Sequence, residues 1–164
     1  MTDLRQIFKP HQFEPGVNSI DLWHVYDNLS RTPYRPGAGI VCGDPDQYLV
    51  NAWHVITPKA IRRHLDWRNR VDTQFISFYD NQADARREAQ RRRNMNTWGR
   101  GSVCIAHVSI PLGKGVWLFS RQEMLGMMRA VGDHGIDLMA CSGSTEWFVW
   151  DHVPDSCVIG LQSS

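Results

Sequence analysis

Residues 74–81 read QFISFYDN, and this stretch joins a strand to the start of a helix. Residues 75–79 are mostly aromatic and β-branched, which is typical of a β-strand. Asp80 or Asn81 can cap a following helix, and the sequence predicts that helix to run to about Asn94. A strand that passes directly into a helix indicates a mixed fold, so the neighbouring segments decide its class.

Further strands are predicted on both sides of this stretch. Residues 22–26 alternate in polarity, and Leu22, His24 and Tyr26 share one face. Other strand-forming runs are residues 40–41, 102–110, 136–141, 146–150 and 157–161. Turns are predicted at residues 111–115 and 142–144, and a long loop at residues 28–43.

Two more helices have recognisable starts. Thr57 and Pro58 form a cap followed by proline at the first helical position. Ser120 and Glu123 have the spacing of a capping box. Because strands and helices do not alternate regularly, the sequence predicts an α+β fold and not a doubly wound sheet.

Composition predicts one ordinary globular domain. The chain has 164 residues, of which 42% are hydrophobic and 10% aromatic. We expect a loose arm over residues 1–19 and a single domain over residues 20–164. The net charge of +1 selects neither nucleic acid nor membrane. With no apolar leader and no run of roughly 20 apolar residues, we expect a cytoplasmic protein without membrane contact.

Cysteine and histidine spacing argues against disulfides and metals. The four cysteines lie far apart without a C-x-x-C pair, so we expect buried thiols in a reducing compartment. They are Cys42, Cys104, Cys141 and Cys157. The seven histidines include no H-x-x-x-H pair, and we expect no metal site.

Three strand residues are candidates for chemistry. Glu146 opens an aromatic strand, where a carboxyl group can have a tuned pKa; the alternative is a surface glutamate. Ser77 could hold a carboxylate or a ligand, or be a core serine bonded to backbone. His24 could donate to a ribose hydroxyl, or be a partly buried histidine with a satisfied ring.

Arginines are concentrated in two stretches, residues 62–70 and 86–93. Both stretches could form a basic surface for phosphate or nucleic acid, or be an ordinary solvated helix face, and nucleic-acid binding is assigned to the second stretch. Its members are Arg86, Arg87, Arg91, Arg92 and Arg93. No aromatic residue interrupts them, which weakens the case for a single-strand platform.

The order of these pieces resembles the ADP-ribosyltransferase-like fold, which consists of split, twisted β-sheets with a few peripheral helices. That family carries His or Arg on a first strand, Ser or Tyr on a second, and Glu on a later one. The runs 22–26 (LWHVY), 75–79 (FISFY) and 146–150 (EWFVW) match this order. The segment Ser30-Arg31-Thr32 and the tail 146–160 are similar to an uncharacterised branch common in fungal proteins.

The resemblance implies roles for the matched residues. His24 would bond a ribose of NAD, Ser77 would position Glu146, and Glu146 would stabilise the oxocarbenium-like transition state as nicotinamide leaves. Tyr26, Tyr79 or Trp23 would stack on nicotinamide, and Arg31 would meet the pyrophosphate.

The implied activity is NAD-dependent mono-ADP-ribosyl transfer to a macromolecule, or NAD hydrolysis if water is the acceptor. NAD is then a substrate, and a toxin or effector role with an inhibitor or immunity partner is a further implication. Ser144 stands where arginine-modifying members often carry Glu or Gln, so arginine is not implied as the acceptor. The alternative is a catalytically degenerate member that binds protein or nucleic acid through the arginine-rich helix surface.

Overall fold

The structure is a computed structural model that describes residues 9–43, 58–65, 73, 75–95, 97–112, 117–135 and 145–163. These residues contain nine strands: β1 Ser19–Tyr26, β2 Tyr34–Arg35, β3 Gly39–Val41, β4 Phe75–Tyr79, β5 Cys104–Pro111, β6 Leu118–Ser120, β7 Glu146–Trp150, β8 His152–Val153 and β9 Val158–Ser163. The helices are α1 Pro58–Leu65, α2 Gln82–Asn94 and α3 Arg121–Ala130, with a 3-10 turn at Asp155–Cys157. The predicted α+β class is confirmed.

The strands form two antiparallel sheets. The larger has the order β6-β7-β4-β1-β5-β9, and the smaller has the order β2-β3-β8. The smaller sheet was missed at the sequence level, except for a short strand at residues 40–41. Strands of two or three residues are too short to show the period-2 alternation on which strand prediction depends.

Alternation along the strands gives the larger sheet two buried faces. One, here called the sandwich face, carries Leu22 and Phe78 and packs with Ile40 and Val153 of the smaller sheet. The other, here called the helical face, is covered by the three helices. Phe75 and Phe148 pack with residues of α1 and α3, and Val25 packs with Ala85 and Ala89 of α2. A polar side chain on the helical face therefore lies beneath helices.

The caps that the sequence predicts for α2 and α3 are present in the structure. The Asn81 side chain accepts the backbone N–H of Ala83 at 2.8 Å, and it also accepts that of Asp84. Ser120 and Glu123 form the complete capping box at the start of α3. Both helix starts are thus specified by neighbouring residues, without help from distant packing.

The N-terminal segment lies against the larger sheet over the part that is described. His11 Nδ1 is 2.8 Å from Glu123 Oε1, and the His11 ring meets Trp147 edge-on at 4.9 Å. Phe13 also packs on Trp147. Residues 9–18 therefore contribute contacts to the domain that the sequence analysis assigned to residues 20–164.

Several predictions lie outside the described residues. They are the cap at Thr57, the strand at residues 136–141, the turns at residues 113–115 and 142–144, and Arg68, Arg70 and Cys141. Of the cysteines that are described, Cys42 and Cys157 are buried and Cys104 is partly exposed, all as free thiols. Among the described helices, none is long and apolar enough to cross a membrane.

Candidate functional site: a buried carboxyl group on the helical face

Glu146 is buried at the start of β7. Its cross-strand partner is Tyr79 on β4, and paired residues of an antiparallel ladder project from the same face. Only 7% of Glu146 is exposed. Its Oε2 atom has no hydrogen-bond partner in the described part of the chain. A buried acceptor without a partner is costly, so such groups are candidates for ligand contact.

The surroundings of Glu146 favour its neutral form. Burial raises the pKa of Glu146 to about 8, because an ionised carboxylate loses water on burial. A hydrogen bond from Ser77 and the nearby positive charge of Arg121 act in the opposite direction on this pKa, while Glu88 raises it further. The carboxyl group therefore holds its proton more strongly than an exposed glutamate, and a further positive charge nearby would favour its ionisation.

Ser77 connects Glu146 to a histidine on α1. Ser77 lies two residues before Tyr79, so it shares the helical face with Glu146. Ser77 lowers the pKa of Glu146 as a hydrogen-bonding neighbour, and its hydroxyl group lies 2.9 Å from His64 Nε2. His64 Nδ1 is in turn 2.6 Å from Thr73 Oγ1. We call this series of neighbouring side chains, Thr73–His64–Ser77–Glu146, the polar chain.

His64 is uncharged in this setting. Desolvation lowers the pKa of His64 to about 4, because the imidazolium form would lose its hydration among the Phe75 and Phe148 rings. A neutral imidazole has one donor and one acceptor nitrogen. Both nitrogens of His64 face hydroxyl groups, which can either donate or accept, so the ring is satisfied in either tautomer.

His24 lies on the other face of the sheet. Its strand β1 is next to β4, but its side chain shares the sandwich face with Phe78, whose ring is 5.1 Å away. His24 Nδ1 is 2.8 Å from the Ser77 carbonyl oxygen, and Nε2 is 2.6 Å from that of Thr32. The structure brings the three predicted strands together but separates His24 from the side chains of Ser77 and Glu146. A ribose bond from His24 stays a prediction, and it would require Thr32 to give up its contact.

Carbonyl oxygens only accept hydrogen bonds, so both contacts of His24 are hydrogen bonds only when the ring is protonated. Burial nevertheless lowers the pKa of His24, and the two carbonyl contacts act against this. A neutral His24 ring has one N–H donor, so it hydrogen-bonds either the Ser77 or the Thr32 carbonyl oxygen and not both.

The residues predicted to stack on nicotinamide or to bind the pyrophosphate are also separated by the fold. Tyr79 is paired with both Trp23 and Glu146, so these three form one cross-strand row on the helical face. Burial raises the pKa of Tyr79, and the neighbouring Glu88 and Glu146 add to this. Tyr26 stacks on His24 on the sandwich face, and burial raises its pKa to about 12. Arg31 is exposed in the turn after β1. The structure thus brings Tyr79 and Trp23 toward Glu146, and leaves Tyr26 and Arg31 away from it.

The arginine surface of α2 is partly neutralised by its own helix. Glu88 binds Arg91 at 2.8 Å and Arg92 at 2.9 Å. Asp84 pairs with Arg87, and Arg93 donates to Gln90 at 2.6 Å. Arg86 is exposed. Two carboxylates, Asp84 and Glu88, thus offset part of the charge of the five arginines, and phosphate or nucleic-acid binding by these arginines stays a prediction.

Three residues of this site were not identified from the sequence: His64, Thr73 and Arg121. A signal for His64 existed, because it follows Ile61 by three residues and so falls on the buried side of α1. Arg121 directly follows the capping serine, which is an unusual place for a cation at a helix start. Within the described ranges, no group of three or more potential metal ligands occurs.

These features define a two-sheet α+β domain with a buried carboxyl group connected to a serine and a histidine. The chain belongs to the family described as Domain of unknown function (DUF7587), whose model matches residues 21–163. The match begins inside β1 and ends with β9, so it includes all of the strands and helices described above except the first two residues of β1. No curated protein and no solved structure matches the chain.

Proposed function

We propose that this domain cleaves the nicotinamide–ribose bond of NAD, with Glu146 as the catalytic carboxylate. Transfer of ADP-ribose to a macromolecule is the proposed reaction, and hydrolysis occurs when water is the acceptor. The observation that carries the proposal is the strand register, which puts Ser77 of β4 and the buried Glu146 of β7 side by side on the same face of the sheet. The resemblance to ADP-ribosyltransferase-like domains implies this pair in this order.

The proposal assigns the unpartnered Oε2 atom of Glu146 the role of hydrogen-bond acceptor for the substrate. A ribose hydroxyl donates a hydrogen bond, and Glu146 Oε2 is an acceptor without a partner in the described residues. As nicotinamide leaves, positive charge develops at the anomeric carbon. A carboxylate held beside that carbon stabilises the transition state more than the ground state, which is what lowers the barrier.

The raised pKa of Glu146 fits a cationic substrate. The nicotinamide ring of NAD is positively charged, and a nearby positive charge favours the ionised carboxylate. NAD binding would therefore promote the ionisation that catalysis requires. We expect nicotinamide release to rise with pH toward about 8, the pKa of Glu146 in the protein without substrate.

The row formed by Trp23 and Tyr79 supports a site for a flat ring. Both side chains are on the helical face, and Tyr79 is directly beside Glu146 in the ladder. Aromatic side chains offer a stacking surface for nicotinamide next to the proposed catalytic carboxylate. In this proposal His24 supports the sheet from the opposite face. A toxin or effector role and an inhibitor partner stay predictions.

The test is nicotinamide release from NAD by the purified chain, with and without cell lysate. We expect Glu146→Gln to lower the rate by about 100-fold or more, the typical loss when a group that stabilises transition-state charge is removed. The matched control is Glu14→Gln, because Glu14 is exposed on the N-terminal segment and we expect no effect there.

Release that depends on lysate would indicate a macromolecular acceptor, and release without lysate would indicate hydrolysis. Unchanged release by a folded Glu146→Gln protein would exclude Glu146 as the catalytic group. A folded wild-type protein that releases nothing in either condition would reject NAD cleavage.

A further inference from the structure

Glu146 has little direct access to water, which raises the question of how it exchanges protons. Its exposed fraction is 7%, and helices cover its face of the sheet. Ser77, His64 and Thr73 are each partly exposed, and together they lead from Glu146 toward the surface. Two distances along this path are 2.9 Å and 2.6 Å, both within hydrogen-bond range.

We propose that the polar chain is a proton relay that connects Glu146 to solvent, and that the tautomer of His64 reports the protonation state of Glu146. His64 and Thr73 act through Ser77, so they are positioning residues for Glu146. This concerns the acid that the proposed NAD cleavage uses, but it rests on hydrogen-bond geometry and not on that activity.

Hydrogen-bond directions follow from the single hydroxyl proton of Ser77. When Glu146 is protonated, it donates to Ser77 Oγ, and the Ser77 proton must point to His64 Nε2. His64 then carries its proton on Nδ1 and donates to Thr73 Oγ1. When Glu146 is ionised, Ser77 donates to the carboxylate and can only accept from His64, so the His64 proton is on Nε2.

The two arrangements are connected by four proton shifts. Glu146 gives its proton to Ser77 Oγ, Ser77 gives its own to His64 Nε2, and His64 Nδ1 gives its proton to Thr73 Oγ1. The former Thr73 hydroxyl proton passes to solvent water. Glu146 has then lost one proton, each of the other three groups is neutral as before, and no imidazolium is formed. A histidine held neutral by burial is suited to such an exchange.

Charged groups around Glu146 come from each of the packed elements. Arg121 of α3 favours the carboxylate, while Glu88 of α2 disfavours it. Tyr79 on β4 keeps its proton because burial raises its pKa. Asp80 and Asp84 are engaged nearby, by Trp147 Nε1 at 2.9 Å and by the Thr145 hydroxyl at 2.6 Å. His64 differs from these groups in that its ring contacts the hydroxyl of Ser77, the neighbour of Glu146 on the helical face.

The test is nitrogen-15 NMR of the imidazole rings, because the two nitrogens have distinct shifts in each tautomer. We expect His64 to change from the Nδ1–H to the Nε2–H form as the pH rises, with the midpoint at which carbon-13 NMR shows Glu146 ionising. His24 is an internal control, since both its nitrogens face backbone carbonyls. Its signals should not follow the same midpoint.

Three variants distinguish a proton relay from a purely structural role of these side chains. Ser77→Ala removes the connecting hydroxyl but keeps both end groups, and the His64 tautomer should no longer change when Glu146 ionises. Thr73→Val should also abolish the change, and Thr73→Ser should restore it. Amide spectra check that each variant is folded.

Two results would overturn the relay: a His64 tautomer that stays constant while wild-type Glu146 ionises, or one that still changes in folded Ser77→Ala. Since the readout is proton position, it is independent of whether NAD is cleaved. A working relay without NAD turnover would refute only the proposed function, and turnover with a constant tautomer would refute only the relay.

Discussion

At the scale of single residues, Glu146 and His64 have opposite pKa shifts in one polar chain. Both result from burial, which disfavours the charged form of either group. The folded state therefore holds a proton on Glu146 and excludes one from His64. Their effects on stability have opposite signs with pH, so they can be measured separately.

We predict that Glu146 makes the protein less stable as the pH rises from about 4.5 to about 8. Its folded pKa, about 8, exceeds its ordinary value of 4.5. The stability it contributes is present at low pH and is lost as pH approaches the folded pKa. Glu146→Gln should remove this loss, on the order of 3 kcal/mol between about pH 5 and pH 8, since one pKa unit corresponds to about 1.4 kcal/mol. Denaturant unfolding of both proteins at the two pH values measures it.

His64 supplies the control, because its contribution to stability changes with pH in the opposite direction. Its folded pKa of about 4 lies below the ordinary 6.5, so its contribution is present above about 6.5 and is lost as the pH falls toward 4. His64→Gln should therefore change the acid side of the profile and leave the alkaline side to Glu146. A Glu146→Gln profile parallel to wild type would show that Glu146 is ionised in the folded protein at neutral pH.

At the scale of elements, Gly39 decides whether the strands of the smaller sheet can pair. Gly39 opens β3 with φ of 81°, a region that side chains rarely adopt. A Cβ atom there would collide with the Val153 carbonyl and lie 2.7 Å from Asp155 N. Since β3 is the central strand between β2 and β8, this one position controls both pairings.

We predict that Gly39→Ala destabilises the domain by at least about 2 kcal/mol more than Gly37→Ala. Gly37 has nearly the same φ, 83°, but nothing lies within 4 Å of a Cβ placed there. The control therefore carries the backbone strain alone, roughly 1 kcal/mol, without the collision. Urea unfolding midpoints measure the difference, and equal midpoints would show that β3 and β8 do not approach this closely.

At the scale of the whole molecule, Asp27 connects three separate parts of the chain. Its side chain is 2% exposed at the end of β1. Oδ2 is 3.3 Å from Arg100 Nε, in the segment before β5, and 3.6 Å from Arg92 of α2. Oδ1 accepts the backbone N–H of Leu29 at 2.8 Å. Removing this carboxylate takes away the ion pair of Arg100, whereas Arg92 keeps its pair with Glu88.

We predict that Asp27→Asn costs roughly 3 kcal/mol of stability, as expected when one partner of a buried ion pair is removed. The control is Asp21→Asn on the same strand, where the carboxylate is 55% exposed and 3.9 Å from His107 Nε2. An exposed pair of this kind contributes at most about 1 kcal/mol. Thermal unfolding of the three proteins compares them, and similar melting temperatures for both variants would contradict the role of Asp27.

The sequence by itself determined the longer strands β1, β4, β5, β7 and β9, the starts of α2 and α3, and the α+β class. These features depend on neighbouring residues: alternation in residues 22–26, the Asn81 cap, and the box formed by Ser120 and Glu123. The same alternation placed Leu22, His24 and Tyr26 on one face. Local patterns of this kind need no knowledge of distant contacts.

Only the tertiary structure decided which side chains meet. Alternation shows which residues of one strand share a face, but not which faces of two strands coincide. That depends on the register of the strands. Because Trp23 pairs with Tyr79, the His24 side chain projects from one face of the sheet, and those of Ser77 and Glu146 project from the other. His64 reaches Ser77 because α1 packs on the helical face, a contact that depends on long-range burial and leaves no local sequence pattern.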